Sequence, residues 1–327
     1  MQTCLSESQG IGKLDTFRFV LHIVSSIEIP IFFLGAYCIL FKTPAKMNSV
    51  KWMMFCLHFF GGLTDFCLSF VIVPVLFLPA MAGVGLGPLD YPKIFLGVIA
   101  YGLAAVTITI LTIFENRYYV LFGRHTCWKD ARRPYLIAHY IFATVFIIPP
   151  FLMIPDQDMA FREIQQKLPC YLDSTVENRH IFIFALDSTI PTLCIGLFLV
   201  TLTIEILAFF GILFVKMALR DRESSAVSAK THELQKKFAI ALSLQTGLPF
   251  AVLAVPVAIM IALVNLNSYN QSVSNLLILV VSTHGILSAL IMMFVHKPYR
   301  DVVTAPFQLV VQRNRVSTSD SGFHFKI

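Results

Sequence analysis

Seven long stretches of apolar residues, separated by short polar segments, follow one another along almost the whole chain of 327 residues. They are Phe19–Phe41, Met53–Leu78, Ile94–Phe114, Leu136–Ile154, Ile181–Val215, Phe238–Leu266 and Val273–Val295. A helix needs about 20 apolar residues to cross the hydrocarbon core of a bilayer, and each stretch is near or above that length. Each is predicted to be a helix, because backbone polar groups must be satisfied internally in a bilayer and the stretches lack the alternation of barrel strands.

The pattern therefore predicts an all-α membrane protein, a seven-transmembrane helix bundle over residues 19–296. Residues 1–18 form an N-terminal tail and residues 297–327 a C-terminal tail. The composition agrees, with 57% hydrophobic residues, 13% charged residues and a mean hydropathy of +0.75. Soluble domains carry about 25% charged residues, so this composition excludes an ordinary soluble protein.

The distribution of positive charge predicts the orientation, because Lys and Arg accumulate in cytoplasmic loops. With the N-terminus outside, 19 of the 25 Lys and Arg residues fall in inner segments and six in outer segments. We therefore expect an outside N-terminus and a cytoplasmic C-terminus. The first 16 residues lack the basic region of a cleavable signal peptide, so the first span is expected to act as its own signal anchor.

Prolines are expected to shape several spans. The fifth stretch, Ile181–Val215, is predicted to be one long helix rather than two, because Pro191 and Gly196 make a poor turn. A kink is expected at Pro191. Pro249 and Pro256 in the sixth stretch favour a pivot there, although proline is also simply more common in membrane helices.

Four acidic residues fall within the predicted spans, and each is a candidate functional residue because an ionisable group costs free energy at membrane depth. They are Glu28, Asp65, Asp187 and Glu205. Asp65 could hold a cation or switch a hydrogen bond with a partner helix, and a purely structural inter-helix bond is the alternative. Asp65, His58 and Asp187 are the candidates for a ligand pocket.

The other two acids have narrower interpretations. Glu28 lies two residues before Pro30 and is expected to satisfy backbone donors near that kink. Glu205 lies deeper in the fifth stretch, where a role in switching the inner face and a simple packing bond between helices are equally open.

The sequence contains little that indicates catalytic chemistry. His232-Glu233 does not continue to a second histidine at zinc-protease spacing, and Gly83, Gly85 and Gly87 follow no predicted strand, so they are interpreted as a flexible outer loop rather than a dinucleotide site. We predict no enzyme activity, no metal site, no cofactor and no nucleic-acid binding. The basic inner loops suit anionic membrane lipids or a cytoplasmic protein partner.

Of the seven cysteines, only Cys4 and Cys170 lie in predicted outer segments, where disulfides persist. We predict that these two form a disulfide between the N-terminal tail and the second outer loop. Cys127 is a possible palmitoylation site. Asn270-Gln271-Ser272 forms the only glycosylation sequon, in a very short outer loop.

Several spaced motifs, taken in order, resemble those of the nematode serpentine receptor class H chemoreceptors. The resemblance runs nearly from end to end. The residues that carry it are Tyr37-Cys38-Ile39-Leu40-Phe41-Lys42-Thr43-Pro44, then Met47 and Val50-Lys51-Trp52, then His58, Asp65 and the segment Pro74 to Pro79, then Phe114-Glu115-Asn116-Arg117, Pro169-Cys170 and His296-Lys297-Pro298-Tyr299-Arg300.

The resemblance implies a conformational switch at the cytoplasmic face. Glu115, Asn116 and Arg117 stand where the third span meets the cytoplasm, and a guanidinium there suits a bidentate partner. We expect that partner to be Glu205 or Tyr299, and a snorkelling interfacial arginine is the alternative. Pro298-Tyr299-Arg300 is expected to end the seventh span and begin a short helix.

The resemblance also implies the function: a G-protein-coupled chemoreceptor of the plasma membrane, in chemosensory neurons, that binds a small environmental molecule and activates a heterotrimeric G protein. Two alternatives stay open, a ligand-gated ion channel and a secondary transporter. The charge distribution argues against the inside N-terminus of insect odorant-receptor channels. Transporters usually carry internal repeats, and none is seen here.

Overall fold

In the part of the chain that the computed structural model describes, seven helices are long and apolar enough to cross a membrane, which confirms the predicted number of spans. The structure describes residues 10–167, 175–177, 179–222 and 229–305. The seven candidate spans are Leu14–Lys42, Asn48–Ile72, Pro92–Gly123, Trp128–Leu152, Thr189–Leu219, Ala239–Asn265 and Gln271–Val295.

The individual helices run as follows: α1 Leu14–Lys42, α2 Asn48–Phe66, α3 Pro92–Tyr118, α4 Trp128–Leu152, the short α5 Gln157–Lys167, α6 Thr189–Arg222, α7 Ala229–Asn265, α8 Gln271–Val281 and α9 His284–Val295. Two of them continue into π-helical turns, α2 through Cys67–Ile72 and α3 through Tyr119–Gly123. Residues 297–305 form a further helix after the seventh span, as the Pro-Tyr-Arg motif predicted.

A small antiparallel sheet covers one end of the bundle. Its strands are β1 Pro74–Leu76, β2 Met81–Gly85 and β5 Phe182–Ala185, in the order β1-β2-β5, and β3 Thr175–Val176 pairs separately with β4 Arg179–His180. We call this end of the bundle the sheet end. The opposite end, where α3 and α9 finish, is called the basic end.

The sheet corrects the prediction that the second and fifth apolar stretches are helical throughout. The second stretch leaves the helix at Val73, whose φ of 49° is left-handed, and continues as β1. The fifth begins as β5, and its helix starts only at Thr189. Short apolar runs look alike in a buried strand and in a helix, so periodicity did not separate them.

The sheet packs against the ends of the helices rather than against solvent. Phe17 and Leu21 of α1, Val75 of β1, Ile183 of β5 and Ile278 of α8 are buried in one apolar cluster. Because strands and spans share this cluster, the sheet is part of the packed interior of the sheet end.

The glycines from Gly83 to Gly87 form a strand and its exit, not the flexible loop that the sequence suggested. A Cβ at Gly83 would lie 2.7 Å from the carbonyl oxygen of Val75, and one at Gly87 would lie 2.1 Å from that of Val71. Both neighbours are backbone atoms, so they have little freedom to move away. Glycine is therefore required here by the close approach of β1 and of the turn before it.

Two further predictions about the spans are wrong in detail. The seventh span is not continuous, because Ser282 and Thr283 separate α8 from α9 and donate their hydroxyls to Leu279 O and Val280 O at 2.9 and 2.8 Å. Pro191 is the third residue of α6. Its missing N–H has no intrahelical partner to lose in the first turn, so it is not the cause of a kink.

Replacing Gly87 with Ala should destabilise the protein, because the added methyl group meets backbone that cannot yield. Overpacking of this kind costs about 1–3 kcal/mol. We expect a lower thermal midpoint and less protein at the cell surface. Gly211→Ala in α6 is the matched control, since nothing lies within 4 Å of its Cβ position. A Gly87→Ala variant as stable as the Gly211→Ala variant would contradict this account of the strand.

Candidate functional site

A cavity of about 400 Å³ lies at the sheet end between the strands, the π-helical turn after α2 and the five helices α3, α4, α6, α7 and α8. Its walls include Leu103 and Thr107 of α3, Phe198 of α6, Val257 of α7 and Ile278 of α8, and Phe184 of β5 lies among the strand residues that line it. The segment before α3 forms the mouth, where Leu89 is 47% exposed and Tyr91 is 61% exposed. Its volume falls within the range of small-molecule pockets, about 300–1,000 Å³.

None of the three pocket candidates chosen from the sequence lines this cavity. His58 lies between α1 and α2, where its Nε2 is 2.8 Å from Phe32 O and its ring stacks on that of Phe32. It also fills the space above Gly35, whose Cβ would lie 2.6 Å from the imidazole. His58 therefore holds the first two spans together.

Asp187 is exposed and precedes α6. Its Oδ1 accepts hydrogen bonds from the backbone N–H and the hydroxyl of Thr189, at 2.9 and 2.7 Å. An acidic oxygen in this position satisfies donors that the start of a helix leaves without intrahelical partners. The structural role is that of a cap, outside the cavity.

Asp65 is the centre of a buried polar cluster between the second and seventh spans. Its Oδ2 accepts the backbone N–H of Gly285 at 2.6 Å, and its Oδ1 is 2.5 Å from Nδ1 of His284. Both side chains are almost completely buried. The break before α9 leaves the N–H of Gly285 without a helical partner, and the positive end of the helix dipole favours a carboxylate there.

Glu28 joins the edge of this cluster rather than serving the backbone near Pro30. It is buried, and its carboxyl group lies near the carboxylate of Asp65 and the hydroxyl of Ser69. The Nδ1 atom of His284 also lies 2.8 Å from Val281 O. Two oxygen acceptors face this nitrogen, so it carries a proton. The contacts of Asp65 therefore join the second and seventh spans, and Glu28 of the first span lies against them.

At the basic end, the Glu-Asn-Arg triplet of α3 is buried, with Glu115 fully so. Glu115 accepts a hydrogen bond from Trp128 Nε1 at 2.7 Å and pairs with Arg132 at 2.9 Å. Arg132 also donates to Asn116 Oδ1 at 3.2 Å. The triplet therefore ties α3 to the beginning of α4, and Arg117, 8% exposed, is enclosed beside it.

Both partners suggested for Arg117 bond to other residues in the structure. Glu205 accepts hydrogen bonds from Tyr135 Oη at 2.8 Å and from His139 Nε2 at 2.6 Å, so it joins α6 to α4. The phenol of Tyr299 forms a 2.7 Å hydrogen bond with Thr43 at the end of α1. The sequence could not place these partners, because their meeting depends on how the spans rotate about their axes.

The motif after the seventh span anchors the basic end twice. His296 Nε2 lies 2.7 Å from Gln245 Oε1 of α7, and both side chains are buried. Tyr299 is fully buried among Cys38, Met54 and Met292. Pro298 and Arg300 lie in the following helix, where Arg300 is exposed. The motif therefore connects the seventh span to the first and the sixth.

The partners in α4 were missed, although the sequence carries a signal for them. Trp128, Arg132, Tyr135 and His139 follow the spacing i, i+4, i+7 and i+11, which places polar groups on one face of a helix. A polar stripe on a transmembrane helix usually faces other helices. This stripe is the signal in the sequence that points to α4 as the partner of Glu115 and Glu205.

Two further predictions from the sequence concern a disulfide and metal binding. Cys4 and Cys170, the predicted disulfide partners, both lie outside the described residues, so their pairing stays a prediction. Within the described ranges, no group of three or more His, Cys, Asp or Glu side chains is arranged to hold a metal ion.

The comparisons with known proteins agree with the motifs. A model of the family described as "Serpentine type 7TM GPCR chemoreceptor Srh" matches residues 13–309. The serpentine receptor class H-72 of Caenorhabditis elegans is 28% identical over 314 residues, which is 93% of this chain and 89% of that receptor. The resemblance predicted from the motifs is confirmed.

Removing the Asp65 carboxylate should be strongly destabilising. In Asp65→Ala the N–H of Gly285 stays buried without its acceptor, and the imidazole of His284 keeps only Val281 O. A buried donor left without a partner costs about 1–3 kcal/mol. Asp65→Asn keeps one acceptor oxygen and is expected to lose less. Thermal unfolding of the purified variants in nanodiscs measures the difference. Equal midpoints for Asp65→Ala and the wild type would contradict the role of this contact.

Burial of His296 should make stability depend on pH. Burial lowers the pKa of His296 to about 4 from an ordinary value near 6.5, so between these values the unfolded chain binds a proton that the folded protein does not. Stability from this residue is therefore present above about pH 6.5 and lost as the pH falls toward 4, by at most about 1.4 kcal/mol per pH unit.

His296→Gln should flatten this dependence, which is measured as the thermal midpoint at several pH values from 4 to 7. His125→Gln, at an exposed position of the basic end, controls for the loss of a histidine. If the wild type and His296→Gln lose stability in parallel on acidification, the burial of His296 is not the cause.

Proposed function

The chain belongs to the Srh family of serpentine seven-transmembrane chemoreceptors, and we propose that it is a G-protein-coupled receptor for a small environmental molecule. In this proposal the molecule binds in the cavity at the sheet end, and the basic end contacts a heterotrimeric G protein. The protein is a multi-pass membrane protein. Its location in the plasma membrane of chemosensory neurons is part of the proposal.

One observation carries the proposal: helices that line the cavity, among them α3, α6 and α7, also hold the polar networks of the basic end. Thr107 of α3 lines the cavity, and Glu115 lies eight residues further on, about 12 Å along the helix. On α6 the corresponding residues are Leu199 and Glu205, and on α7 they are Leu253 and Gln245. A shift of these helices around a ligand therefore reaches the networks directly.

The signalling step is then a change between two arrangements of the bundle. A ligand shifts the equilibrium only by the difference in its affinity for the two. Pro249 lies in α7 between the cavity residue Leu253 and the network residue Gln245. A proline in a helix interior removes a hydrogen bond and permits a bend, so it is a suitable pivot.

The switch itself is assigned to residues of the basic end that hold several spans together. Glu115 and Asn116 join α3 to α4, Glu205 joins α6 to α4, and Tyr299 joins the C-terminal segment to α1. Arg117 is buried beside them, and Pro298 and Arg300 begin the helix that follows. Separation of these contacts would open a cleft lined by basic residues for the G protein.

The orientation in this proposal follows from charge. The segments predicted to be cytoplasmic carry 19 of the 25 Lys and Arg residues, and the described ones among them adjoin the basic end. This supports a cytoplasmic location for that end and an outside location for the cavity mouth. Cationic side chains there also suit anionic lipid headgroups. The ligand then enters from outside, and the G protein binds from within.

The experiment that tests the proposal uses cells that display the tagged receptor. A panel of small odorants is applied while G-protein dissociation and membrane current are recorded together, with and without the Gα subunit. A response that requires Gα supports the receptor. A ligand-evoked current that persists without Gα would replace it with the channel.

In the same assay Arg117→Ala should weaken the G-protein response by about tenfold or more in potency, since a change of about 1.4 kcal/mol in coupling corresponds to a factor of ten. Arg162→Ala is the matched control, because Arg162 is exposed on α5 at the sheet end. Surface labelling corrects for differences in expression. An unchanged response in Arg117→Ala at equal surface level would remove Arg117 from the switch.

A further inference from the structure

The walls of the cavity offer a ligand very little polar chemistry. Among the described residues that line it, the only carboxylate is that of Asp90, which is exposed at the mouth, and no Lys, Arg or His takes part. Deeper in, the walls are formed by side chains such as Leu103, Phe198 and Val257. A charged group that entered would lose its hydration without gaining an ionic partner.

The hydroxyl groups of the walls are already engaged. Thr107 donates its hydroxyl to Leu103 O at 2.5 Å, and Thr192 donates to Ser188 O at 2.7 Å. Each bond lies within the residue's own helix, where it uses the single donor of the hydroxyl. Of the other lining side chains, Cys194 is only a weak donor, and Tyr91 stands at the exposed mouth.

The central strand of the sheet uses its backbone groups in pairing on both sides. β2 pairs with β1 on one side, with Val75 opposite Val84, and with β5 on the other, with Ala82 opposite Ile183. Ladder pairing on both sides occupies the N–H and C=O groups of the central strand. The cavity is thus enclosed by apolar side chains and by a sheet whose middle strand has its polar groups satisfied.

We infer that the cavity selects neutral, largely apolar small molecules and rejects carboxylates and ammonium ions of the same shape. This inference rests on the proposed function for its biological meaning. Its physical basis is that apolar burial is favourable in proportion to area, whereas an unpaired buried charge is strongly unfavourable. With about 400 Å³, the cavity lies near the lower end of the range for ligand pockets, which favours ligands smaller than drugs.

A neutral apolar molecule could reach the cavity from water or from the bilayer, whose acyl chains share its chemistry. The test is therefore made on the purified receptor in nanodiscs, by thermal unfolding and by native mass spectrometry. The probes are three compounds with the same eight-carbon chain, 2-octanone, octanoate and octylamine, at pH 7. Parallel sets of six and ten carbons extend the comparison to other lengths.

We expect at least one neutral probe to raise the thermal midpoint and to bind at least tenfold more tightly than the ions of its length. Ala100→Phe, which fills the cavity from α3, should abolish this effect, and Ala100→Leu should weaken it. Val98→Phe is the matched control, because Val98 is 40% exposed on the same helix and does not line the cavity. Unliganded midpoints of the variants show whether each has folded.

Three results would overturn the inference: binding of octanoate or octylamine as tight as that of 2-octanone, no stabilisation by any neutral probe, or a copurified phospholipid that the ketones do not displace. Failure of this inference can be distinguished from failure of the proposed function. Ketone binding without any G-protein response would defeat the receptor proposal alone. A Gα-dependent response to charged odorants that Ala100→Phe abolishes would defeat the ligand class alone.

Discussion

The hydrogen bond from the N–H of Gly285 to the Asp65 carboxylate is the interaction on which the arrangement of the bundle depends. In a bilayer no water can satisfy a helix end, so a break within a span persists only where another side chain accepts the exposed donors. Asp65 supplies that acceptor at the start of α9. The break then frees the two halves of the seventh span to pack differently. At the sheet end, Gln271 and Asn275 of α8 donate hydrogen bonds to Leu76 O and Ile11 O. At the basic end, Met292 and Met293 of α9 pack in the apolar cluster of Tyr299.

The two ends that result have opposite chemistry. At the sheet end, strands and helix ends enclose an apolar cavity whose hydroxyls are turned back onto their own helices. At the basic end, the buried Glu115, the half-buried Glu205 and their donors join neighbouring spans. The helices α3, α6 and α7 extend through both ends of the bundle. A displacement of these helices around an apolar molecule at the sheet end therefore reaches the polar contacts at the basic end. This division follows from where the sequence places its few intramembrane polar residues.

The sequence predicts features that depend on the local run of residues, but not those that depend on how distant segments meet. The seven spans were predictable because about 20 consecutive apolar residues have one solution in a bilayer. The strands were not, since Pro74–Leu76 and Phe182–Ala185 are apolar runs that continue directly into predicted helices. The Glu115 triplet and Tyr299 were identified as site residues, but their partners were not, because a sequence does not give the rotation of one span against another. His58 and Asp187 show the same limit, since an inter-helix contact and a helix cap look like pocket residues until the neighbours are known.

Polar contacts, more than packing, hold α4 in the bundle. Only 17% of the most apolar 18-residue segment of α4 is buried inside the bundle, compared with 56% of the corresponding segments of the second and seventh spans. Lipid tails are as apolar as the side chains they replace, so burial does little to fix such a helix in place. Trp128, Arg132, Tyr135 and His139 instead attach one face of α4 to Glu115 of α3 and Glu205 of α6. Glu115 and Glu205 therefore share a single weakly packed neighbour, and a movement that separates α4 from one of them strains its contacts with the other.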